Sequence, residues 1–486
     1  MKALLMKHKV LIMKCDRYDS DKIAGIIKEG MEVLGATPHG RVLVKPNCVV
    51  AHPVFFTHAF TRKEFLEGLI MALKYKGQAI EELAVGENSG INIPTRYCFR
   101  NAGYVDVLKK RNVKARYFDE EQQVLVTLGR KENLRHRILV PRSVAECDFF
   151  INVPKFKANP WTRITLGLKN YMGIQADGPR LIDHNAFLEH KIADMQDVVQ
   201  PAFIAIDAII AGQETVLSPT PFPMGAIVMG TNSCAVDAVG CLMVHVEPTS
   251  VDHLRIASER GLGPIDLGDI DVDGDYPLDE VQRNTRGFRL LRERIDESFS
   301  NHGSLTCTVG TFPSEHSRDY CWGGCPGLLQ EAMHLHRLHS LHSLDRMTRI
   351  RYVVGRVDAP LDLADGEKVI FAGDCCRWEG RINGKMVDIL GDDQCTRQMD
   401  AVGRGSRDML LKAVSSIVHC LTSASSGHIH LRGCPVSGVE LGVYLSLFGS
   451  LPIVPFDART TLSMIGSHLQ TRMGRLYNNL RGAGRG

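Results

Sequence analysis

Short apolar runs alternate with helix-like patterns along the first half of the chain, from residue 9 to about residue 275. The runs that predict strands lie at residues 10–15, 42–47, 83–88, 149–155, 203–209 and 226–230. Several are apolar on both faces, which is typical of strands buried in a parallel sheet. Because strands that alternate with helices form βαβ units, this pattern predicts an α/β domain whose mostly parallel sheet is covered by helices.

The same alternation resumes in the second half. Residues 276–303 are charged and weakly patterned, which predicts a connecting helical segment. Strand-like runs follow at residues 305–310, 349–355, 368–373, 428–433 and 451–456. A chain of 486 residues exceeds what one core usually serves, since cores stop growing near ~250 to 300 residues. We therefore predict two α/β domains, 1–275 and 304–486, each with a mostly parallel sheet covered by helices.

Composition excludes several classes of partner. The net charge is only +3, so the surface as a whole is not suited to a nucleic acid. Residues 470–486 are rich in arginine, and we expect a solvated, frayed terminus there. No window reaches the ~18 apolar residues of a membrane helix, and the start lacks a signal-peptide cleavage pattern. These features predict a cytoplasmic protein without a membrane partner.

Cysteines are the strongest chemical signal of the second half. The chain has 14 of them, and in a large chain without export signals such a set indicates metal or redox chemistry rather than disulfides. Cys321 and Cys325 flank a glycine-rich turn ahead of a helical pattern. Cys375 and Cys376 directly follow one predicted strand, and Cys434 follows another. Three separate segments thus place thiols at strand ends or helix starts.

Thiolates at such positions can bind a metal centre. Helix N-termini and free backbone N–H groups favour thiolates, and four thiolates are the usual ligands of a 4Fe-4S cluster. Cys321, Cys325 and Cys434, with either Cys375 or Cys376, would supply them. Zinc accepts four thiolates equally well, and buried cysteine is also common as a small core residue. The sequence does not distinguish these alternatives.

Two of the cysteine motifs carry a resemblance. The phrases GDCC and GCP resemble the cluster-binding small subunits of nickel-iron hydrogenases and related oxidoreductases. In that family, a cysteine after a strand and a later Gly-Cys-Pro hold an iron-sulfur cluster. The resemblance implies that the second half is an iron-sulfur α/β module.

Polar residues gather where the predicted strands of the first half end. Ligands of open α/β sheets bind outside these carboxyl ends, and lysines beside Asn and Thr suit a carboxylate or phosphate. The predicted substrate-binding residues are Lys45, Asn47, Lys157, Thr165, Asn170 and Asp237. The predicted catalytic residues are His184, Lys155 and Lys169. Among these, His184 is the candidate general acid or base, because histidine titrates near working pH.

These first-half motifs resemble the domain-of-unknown-function family numbered 362. The resemblance spans roughly residues 40–250 and includes KPN, the PKxK…T…LKNxxG stretch, and the IDAI and AVDAV segments. It implies an α/β domain that is often joined to iron-sulfur modules, with functional positions among the residues just named. This chain departs from the family pattern at Asn159, where a histidine is frequent, and at Glu87, where an aspartate is frequent.

Three functional hypotheses follow. The first is a 4Fe-4S oxidoreductase that acts on an anionic small molecule and exchanges electrons with the substrate or with a partner. The second is a non-redox lyase, ligase or isomerase that holds structural zinc or a structural cluster. The third is an iron-sulfur carrier or assembly factor. A nucleotide cofactor is not expected, because neither GxGxxG after a strand nor GxxxxGK[ST] is present.

Overall fold

The computed structural model describes residues 7–75, 79–181, 187–313, 320–391, 426–452 and 458–483. Two compact units are distinguished by their internal contacts. Unit 1 comprises Met1–Arg180, Leu188–Leu291 and Gly466–Gly486, and unit 2 comprises Leu181–Phe187 and Arg292–Ile465. Each unit has its own sheet and core, and the α/β fold class predicted from the alternating runs is confirmed.

Unit 1 has twelve described strands. They are β1 (His8–Lys14), β2 (Gly40–Pro46), β3 (Ile80–Glu87), β4 (Lys114–Tyr117), β5 (Gln123–Thr127), β6 (Arg137–Pro141), β7 (Phe149–Val153), β8 (Lys155–Asn159), β9 (Arg163–Thr165), β10 (Phe203–Gln213), β11 (Thr220–Gly230) and β12 (Ile270–Asp273). The main sheet has the order β12-β1-β11-β10-β7-β2-β3-β4, with β8 and β9 attached at β10. The strands β10, β7, β2, β3 and β4 are mutually parallel, so their carboxyl ends share one edge.

Helices lie between most of these strands. They are α1 (Ser20–Val33), α2 (Lys63–Tyr75), α3 (Thr95–Asn101), α4 (Tyr104–Lys110), α5 (Arg142–Ala145), α6 (Gly167–Asn170), α7 (Asp177–Leu181), α8 (Leu188–Met195), α9 (Ser233–Met243), α10 (Asp252–Glu259) and α11 (Leu278–Asn284). In α1, Ile23, Ile27 and Met31 are buried at spacings of four residues, which forms one apolar stripe. The Asp19 carboxylate caps this helix by accepting from the N–H groups of Asp21 and Lys22.

One strand departs from the parallel arrangement. The run predicted at residues 226–230 lies in β11, which pairs antiparallel with both β1 and β10. The connection from Gln213 to Thr220 is too short for a parallel crossover, which takes about a dozen or more residues. The chain therefore turns back as a hairpin between β10 and β11.

Unit 2 contains a smaller sheet. Its elements are α12 (Ile295–Ser298), β13 (Leu305–Val309), α13 (Gly324–His339), α14 (Leu341–Leu344), β14 (Ile350–Arg356), β15 (Lys368–Ile382), β16 (Lys385–Ile389), β17 (His428–Leu431) and α15 (Gly438–Gly449). The strands β13, β14, β15 and β17 pair in parallel, and β16 forms an antiparallel hairpin with the second part of β15. The strand predicted at residues 451–456 falls largely outside the described residues.

The two faces of this sheet are covered differently. On one face, Tyr352 and Ile370 pack with residues of α13 and α15, including Leu329 and Tyr444. On the other, a separate cluster is formed by Val353, Val369, Phe371, Cys376, Trp378, Ile382, Val387 and Ile389. Successive side chains of β15 therefore pack on opposite faces of the sheet, because side chains along a strand alternate between its two faces.

Two expectations about connecting and terminal segments were wrong. Residues 276–303 hold two short helices, α11 and α12, rather than one connecting helix. The arginine-rich tail is not frayed over its described part, because helix α16 (Ala458–Ala483) extends through it. Hydrogen bonds from Arg475 Nε to the Asp119 carbonyl and from Asn478 Nδ2 to the Glu120 carbonyl hold the part of this helix that belongs to unit 1.

A search of the described helices for membrane spans gave no candidate, since none of them is both long and apolar enough to cross a bilayer.

Candidate functional site

Four cysteines of unit 2 line one cavity. They are Cys321, Cys325, Cys375 and Cys434, and the cavity is partly open to solvent. The remaining lining residues are Phe312, Gly324, Pro326, Val354, Ala372, Gly373 and Gly433. We call this the four-cysteine cavity. The structure thus brings together four of the five cysteines that the sequence singled out.

Each segment of the cavity is placed by a regular element. Cys321 precedes helix α13, and Cys325 is the second residue of that helix. Cys375 lies in β15 after the part that pairs with β17, between Ala372 and Arg377, where the register with β14 shifts. Cys434 follows the end of β17. Since β15 and β17 run parallel, the chain segments that leave their paired parts begin at the same edge of the sheet.

Glycine is required at two positions because the backbone passes close to the sulfurs. Gly373 has φ +103°, and a Cβ there would lie 3.0 Å from Cys325 Sγ and 3.7 Å from Cys375 Sγ. A Cβ at Gly324 would lie 2.5 Å from Cys321 Sγ. Any side chain at these positions would occupy the space between the sulfurs and the backbone.

Hydrogen bonds join the segments that carry Cys375 and Cys434. The Asp374 N–H donates to the Gly433 carbonyl at 3.1 Å, and the Gly433 N–H donates to Asp374 Oδ1 at 2.9 Å. His430 Nε2 lies 3.0 Å from the Gly373 carbonyl. These hydrogen bonds fix the position of the Cys375 segment relative to the Cys434 segment.

Burial favours the neutral form of the cavity thiols. Burial, together with the charge of the neighbouring Cys434, raises the pKa of Cys375 to about 12. Burial also raises the pKa values of Cys321 and Cys325, and in both the other cavity cysteines add to the effect. Thiolates so close together repel one another, so a metal centre of positive charge is the partner that would stabilise them.

Cys376 does not reach the cavity. Its Sγ lies 3.6 Å from the Val353 carbonyl, and the side chain packs with Phe371 and Trp378 on the opposite face of the sheet. The alternation of side chains along β15 explains why only one of two adjacent cysteines points into the cavity. Of the two alternatives left open by the sequence, the geometry favours Cys375 as the cavity residue.

Among the described residues, no group of three or more His, Cys, Asp or Glu side chains is arranged around a single metal-ion position.

In unit 1, the strand-end residues form a buried polar network. Lys45 Nζ donates to Glu87 Oε2 at 2.9 Å, and both side chains are almost fully buried. Asn170 Oδ1 accepts from Lys45 Nζ at 3.3 Å and from Asn47 Nδ2 at 3.1 Å. Burial lowers the pKa of Lys45 and raises that of Glu87, while each partner's charge acts against the shift. Glu87, noted in the sequence only as a departure, is thus the partner of Lys45.

A second buried pair joins the first residue of β8, Lys155, to Asp207 in the middle of β10. Lys155 Nζ donates to Asp207 Oδ2 at 2.9 Å and to the Tyr18 hydroxyl at 2.8 Å, and that hydroxyl donates to Asp207 Oδ1 at 2.8 Å. Nearby His58 is half-buried, and burial together with the charges of Lys155 and Arg62 lowers its pKa to about 4. Neither Tyr18 nor His58 had a sequence signal, because both reach this pair through long-range folding.

The remaining predicted residues make mainly structural contacts. Lys157 Nζ donates to the carbonyls of Ala59 and Val216. Thr165 Oγ1 accepts from Asn159 Nδ2 at 3.0 Å. Asp237 accepts from the N–H groups of Gly167 and Leu168 at 2.7 and 2.8 Å, which caps α6.

In three of the four predicted lysines, the ammonium group is therefore already bonded to other protein groups and is not available to a ligand. Lys45 and Lys155 are neutralised by buried carboxylates, and Lys157 is held by carbonyl oxygens. Lys169 differs, because within the described residues its ammonium group donates no hydrogen bond. Burial lowers the pKa of Lys169 to about 8, with Glu189 opposing the shift and Arg180 adding to it. His184 lies outside the described residues.

Two buried groups near these residues had no signal in the sequence. Arg180 donates to the carbonyls of Asn88, Ser89 and Gln175, which fixes the loop after β3. His253 is fully buried, and within the described part of the chain its Nδ1 has no hydrogen-bond partner. Burial lowers the pKa of His253 to about 3, with the charge of Lys169 adding to the shift. The charge of Lys169 on α6 thus acts on the imidazole of His253 on α10.

Comparisons with known proteins support the first-half resemblance. A family model described as a domain of unknown function, DUF362, matches residues 42–242. No curated protein matches the chain. The structure of the lactate racemase apoprotein from Thermoanaerobacterium thermosaccharolyticum aligns with 10% sequence identity and a TM-score of 0.28, covering 49% of this chain and 57% of that one. The aligned part thus spans little more than half of the racemase. The likeness of the second half to iron-sulfur modules stays a prediction.

Proposed function

We propose that this chain is an iron-sulfur oxidoreductase that binds a 4Fe-4S cluster through Cys321, Cys325, Cys375 and Cys434. The observation that carries the proposal is that these four thiols, from three separate segments, line one cavity. An additional cysteine adjacent in sequence, Cys376, faces the other side of the sheet. Four thiolates are the usual ligand complement of such a cluster.

A cluster and a zinc ion require different arrangements of four sulfurs. Four thiolates around one zinc ion at ~2.3 Å must converge to within about 4 Å of one another. In a 4Fe-4S cluster each cysteine binds a different iron, so the sulfurs surround the cluster rather than a point. The four cysteines come from three chain segments around one cavity. A four-thiolate donor set fits the cluster, and zinc is the alternative that metal analysis distinguishes.

The surroundings of the cavity also suit a redox centre. Phe312, Pro326 and Val354 contribute apolar walls, and such a wall limits solvent access and thereby tunes the potential. When bound, a cluster of this type supplies one-electron transfer. The chain's own residues supply the ligands, the close backbone approach at Gly373 and the hydrogen bonds that fix the Cys375 and Cys434 segments.

The substrate half of the proposal rests on Lys169. Of the four predicted lysines, it is the one whose ammonium group donates no hydrogen bond within the described part of the chain. Its backbone is fixed on both sides, because Asp237 caps the start of α6 and Asn170 at the end bonds to Lys45 and Asn152. A positioned lysine with a lowered pKa can bind an anionic small molecule or accept its proton. We propose that role for it.

A cytoplasmic location and an electron-transfer partner belong to the same proposal. All cysteines described by the structure are free thiols. Free thiols persist in reducing compartments, whereas secreted proteins tend to oxidise them.

The experiment compares cysteine variants purified without oxygen. Cys375→Ser and Cys434→Ser should lose the visible chromophore, the iron and the acid-labile sulfide. Cys376→Ser is the matched control, and it should keep all three because its side chain lies on the other face of β15. Wild-type protein should contain about four irons and four sulfides per chain, as a four-thiolate cluster implies.

Two other outcomes would overturn the proposal. Colourless wild-type protein with one zinc per chain would favour a non-redox enzyme with a structural metal. Transfer of the cluster to an acceptor apoprotein, with Lys169→Ala protein transferring it equally well, would favour a carrier or assembly factor.

A further inference from the structure

Helix α16 exposes a row of large apolar side chains. Leu469, Met473, Leu476 and Leu480 are 53, 72, 63 and 67% exposed. They recur at spacings of three and four residues, so they lie along one face of the helix. We call these four residues the apolar stripe of α16. Exposed apolar residues are common singly, but a contiguous row of this kind marks an interaction surface.

The opposite face of the same helix attaches it to unit 1, and that face is polar. Ser467 and Thr471 are buried. A Cβ at Gly474 would meet the Glu120 carboxylate, and Asn478 Nδ2 donates to the Glu120 carbonyl at 3.0 Å. A surface helix normally turns its apolar face towards the core and its polar face towards water. In α16 the orientation is reversed. Packing against unit 1 therefore does not explain why the apolar stripe consists of large apolar residues.

The charge of the helix restricts what can cover the stripe. Its sequence contains Arg459, Arg472, Arg475 and Arg481 and neither Asp nor Glu. Arg472 is exposed next to the stripe. A second copy packed against the stripe would bring arginines towards arginines without acidic partners, which is unfavourable. An anionic surface complements both the stripe and its basic flank.

We propose that α16 binds the surface of an anionic phospholipid membrane, with the apolar stripe in the interface and Arg472 at the headgroups. Helices with leucines on one face and arginines on the other lie in the plane of such an interface. The proposal is independent of the cluster. It departs from the expectation of no membrane partner, which rested on the lack of a spanning segment and does not bear on helices that lie on a bilayer.

The test is cosedimentation with vesicles of phosphatidylcholine and phosphatidylglycerol, compared with vesicles of phosphatidylcholine alone. The wild-type chain should bind the anionic vesicles and release as salt rises. The variant Leu469→Ser/Met473→Ser/Leu476→Ser should bind at least about tenfold more weakly, because it loses most of the inserted apolar area. Arg472→Glu, a change of one exposed residue, should also weaken binding.

A matched control removes exposed leucines elsewhere. Leu125 and Leu139 are 52 and 41% exposed on the β5–β6 hairpin. The variant Leu125→Ser/Leu139→Ser should bind vesicles as the wild type does. Equal loss in both multiple variants, or wild-type protein that ignores anionic vesicles, would overturn the proposal. So would a wild-type dimer that the α16 variant converts to a monomer, because a second copy would then be the occupant.

Discussion

At the level of single residues, unit 1 buries two of its lysines, Lys45 and Lys155, as ion pairs. Lys45 with Glu87 and Lys155 with Asp207 lie at N···O distances of 2.9 Å, with side chains at most 2% exposed. A buried pair stabilises little compared with an apolar pair, but removal of one partner leaves a costly isolated charge. The buried ion pairs therefore indicate a structural role for Lys45 and Lys155 rather than a role in ligand binding.

The Lys45–Glu87 pair gives a test of this interpretation. Glu87→Gln should lower the free energy of unfolding by about 3 kcal/mol, because Lys45 loses its buried counter-charge. The double variant Lys45→Met/Glu87→Leu should recover most of that loss. Urea unfolding followed by circular dichroism measures both. A double variant as unstable as the single one would show that the pair itself is needed.

Lys169 should be chemically distinct from the other lysines. Burial lowers its pKa to about 8, whereas an ordinary lysine titrates near ~10.4. Because the neutral amine is the reactive form, Lys169 should be acylated at about pH 8 well before exposed Lys109. Peptide mass spectrometry across a pH series measures the two rates in one sample. Equal rates at every pH would contradict a lowered pKa.

At the level of elements, the short helix α6 depends on one buried carboxylate. Asp237 accepts from two N–H groups at the start of α6, yet burial raises its pKa to about 7. The folded state therefore binds this proton more tightly than the unfolded chain, where Asp titrates near ~3.9. The stabilisation from the protonated form is present near pH 4 and is lost as the pH rises through 7.

This shift predicts a pH-dependent difference between wild type and Asp237→Asn. The amide stays neutral at every pH, so the stability of the wild type relative to the variant should fall from about pH 4 to about pH 7. Urea midpoints at a series of pH values measure it. A stability difference that stays constant or grows with pH would mean that the two N–H groups lower the pKa of Asp237 by at least as much as burial raises it.

Strand β15 sets the geometry of the four-cysteine cavity. Gly373→Ala places a Cβ 3.0 Å from Cys325 Sγ at a φ of +103°, so this variant should lose most of its iron. Gly366→Ala is the control, since Gly366 has φ +74° but nothing within 4 Å of its Cβ position. It should keep its iron despite a cost of roughly 1 kcal/mol. Equal iron content in both variants would argue against a cluster in this cavity.

Sequence periodicity predicted the positions of the strands better than it predicted their pairing directions or side-chain contacts. The runs at residues 42–47, 83–88 and 149–155 correspond to strands, because apolar patterning is a local property. The antiparallel direction of β11 follows from the length of a connection, which the pattern does not encode. The choice between Cys375 and Cys376 depends on strand phase, and the partnership of Lys155 with Asp207 depends on long-range packing. Neither could be predicted from spacing.

At the level of the whole molecule, two α/β units carry different chemistry. Unit 1 contains most of the DUF362-matching region, the lysine–carboxylate pairs and Lys169. Unit 2 contains the four-cysteine cavity. The proposed function assigns substrate binding to unit 1, through Lys169, and electron transfer to unit 2, through the four cysteines.

The most direct test of that account is electron paramagnetic resonance of anaerobically purified chain, before and after chemical reduction, together with metal analysis. The account predicts an iron-sulfur signal that changes on one-electron reduction, is kept in Cys376→Ser and is absent in Cys434→Ser. Protein that shows no signal in either state, and contains zinc or no metal at all, would contradict it.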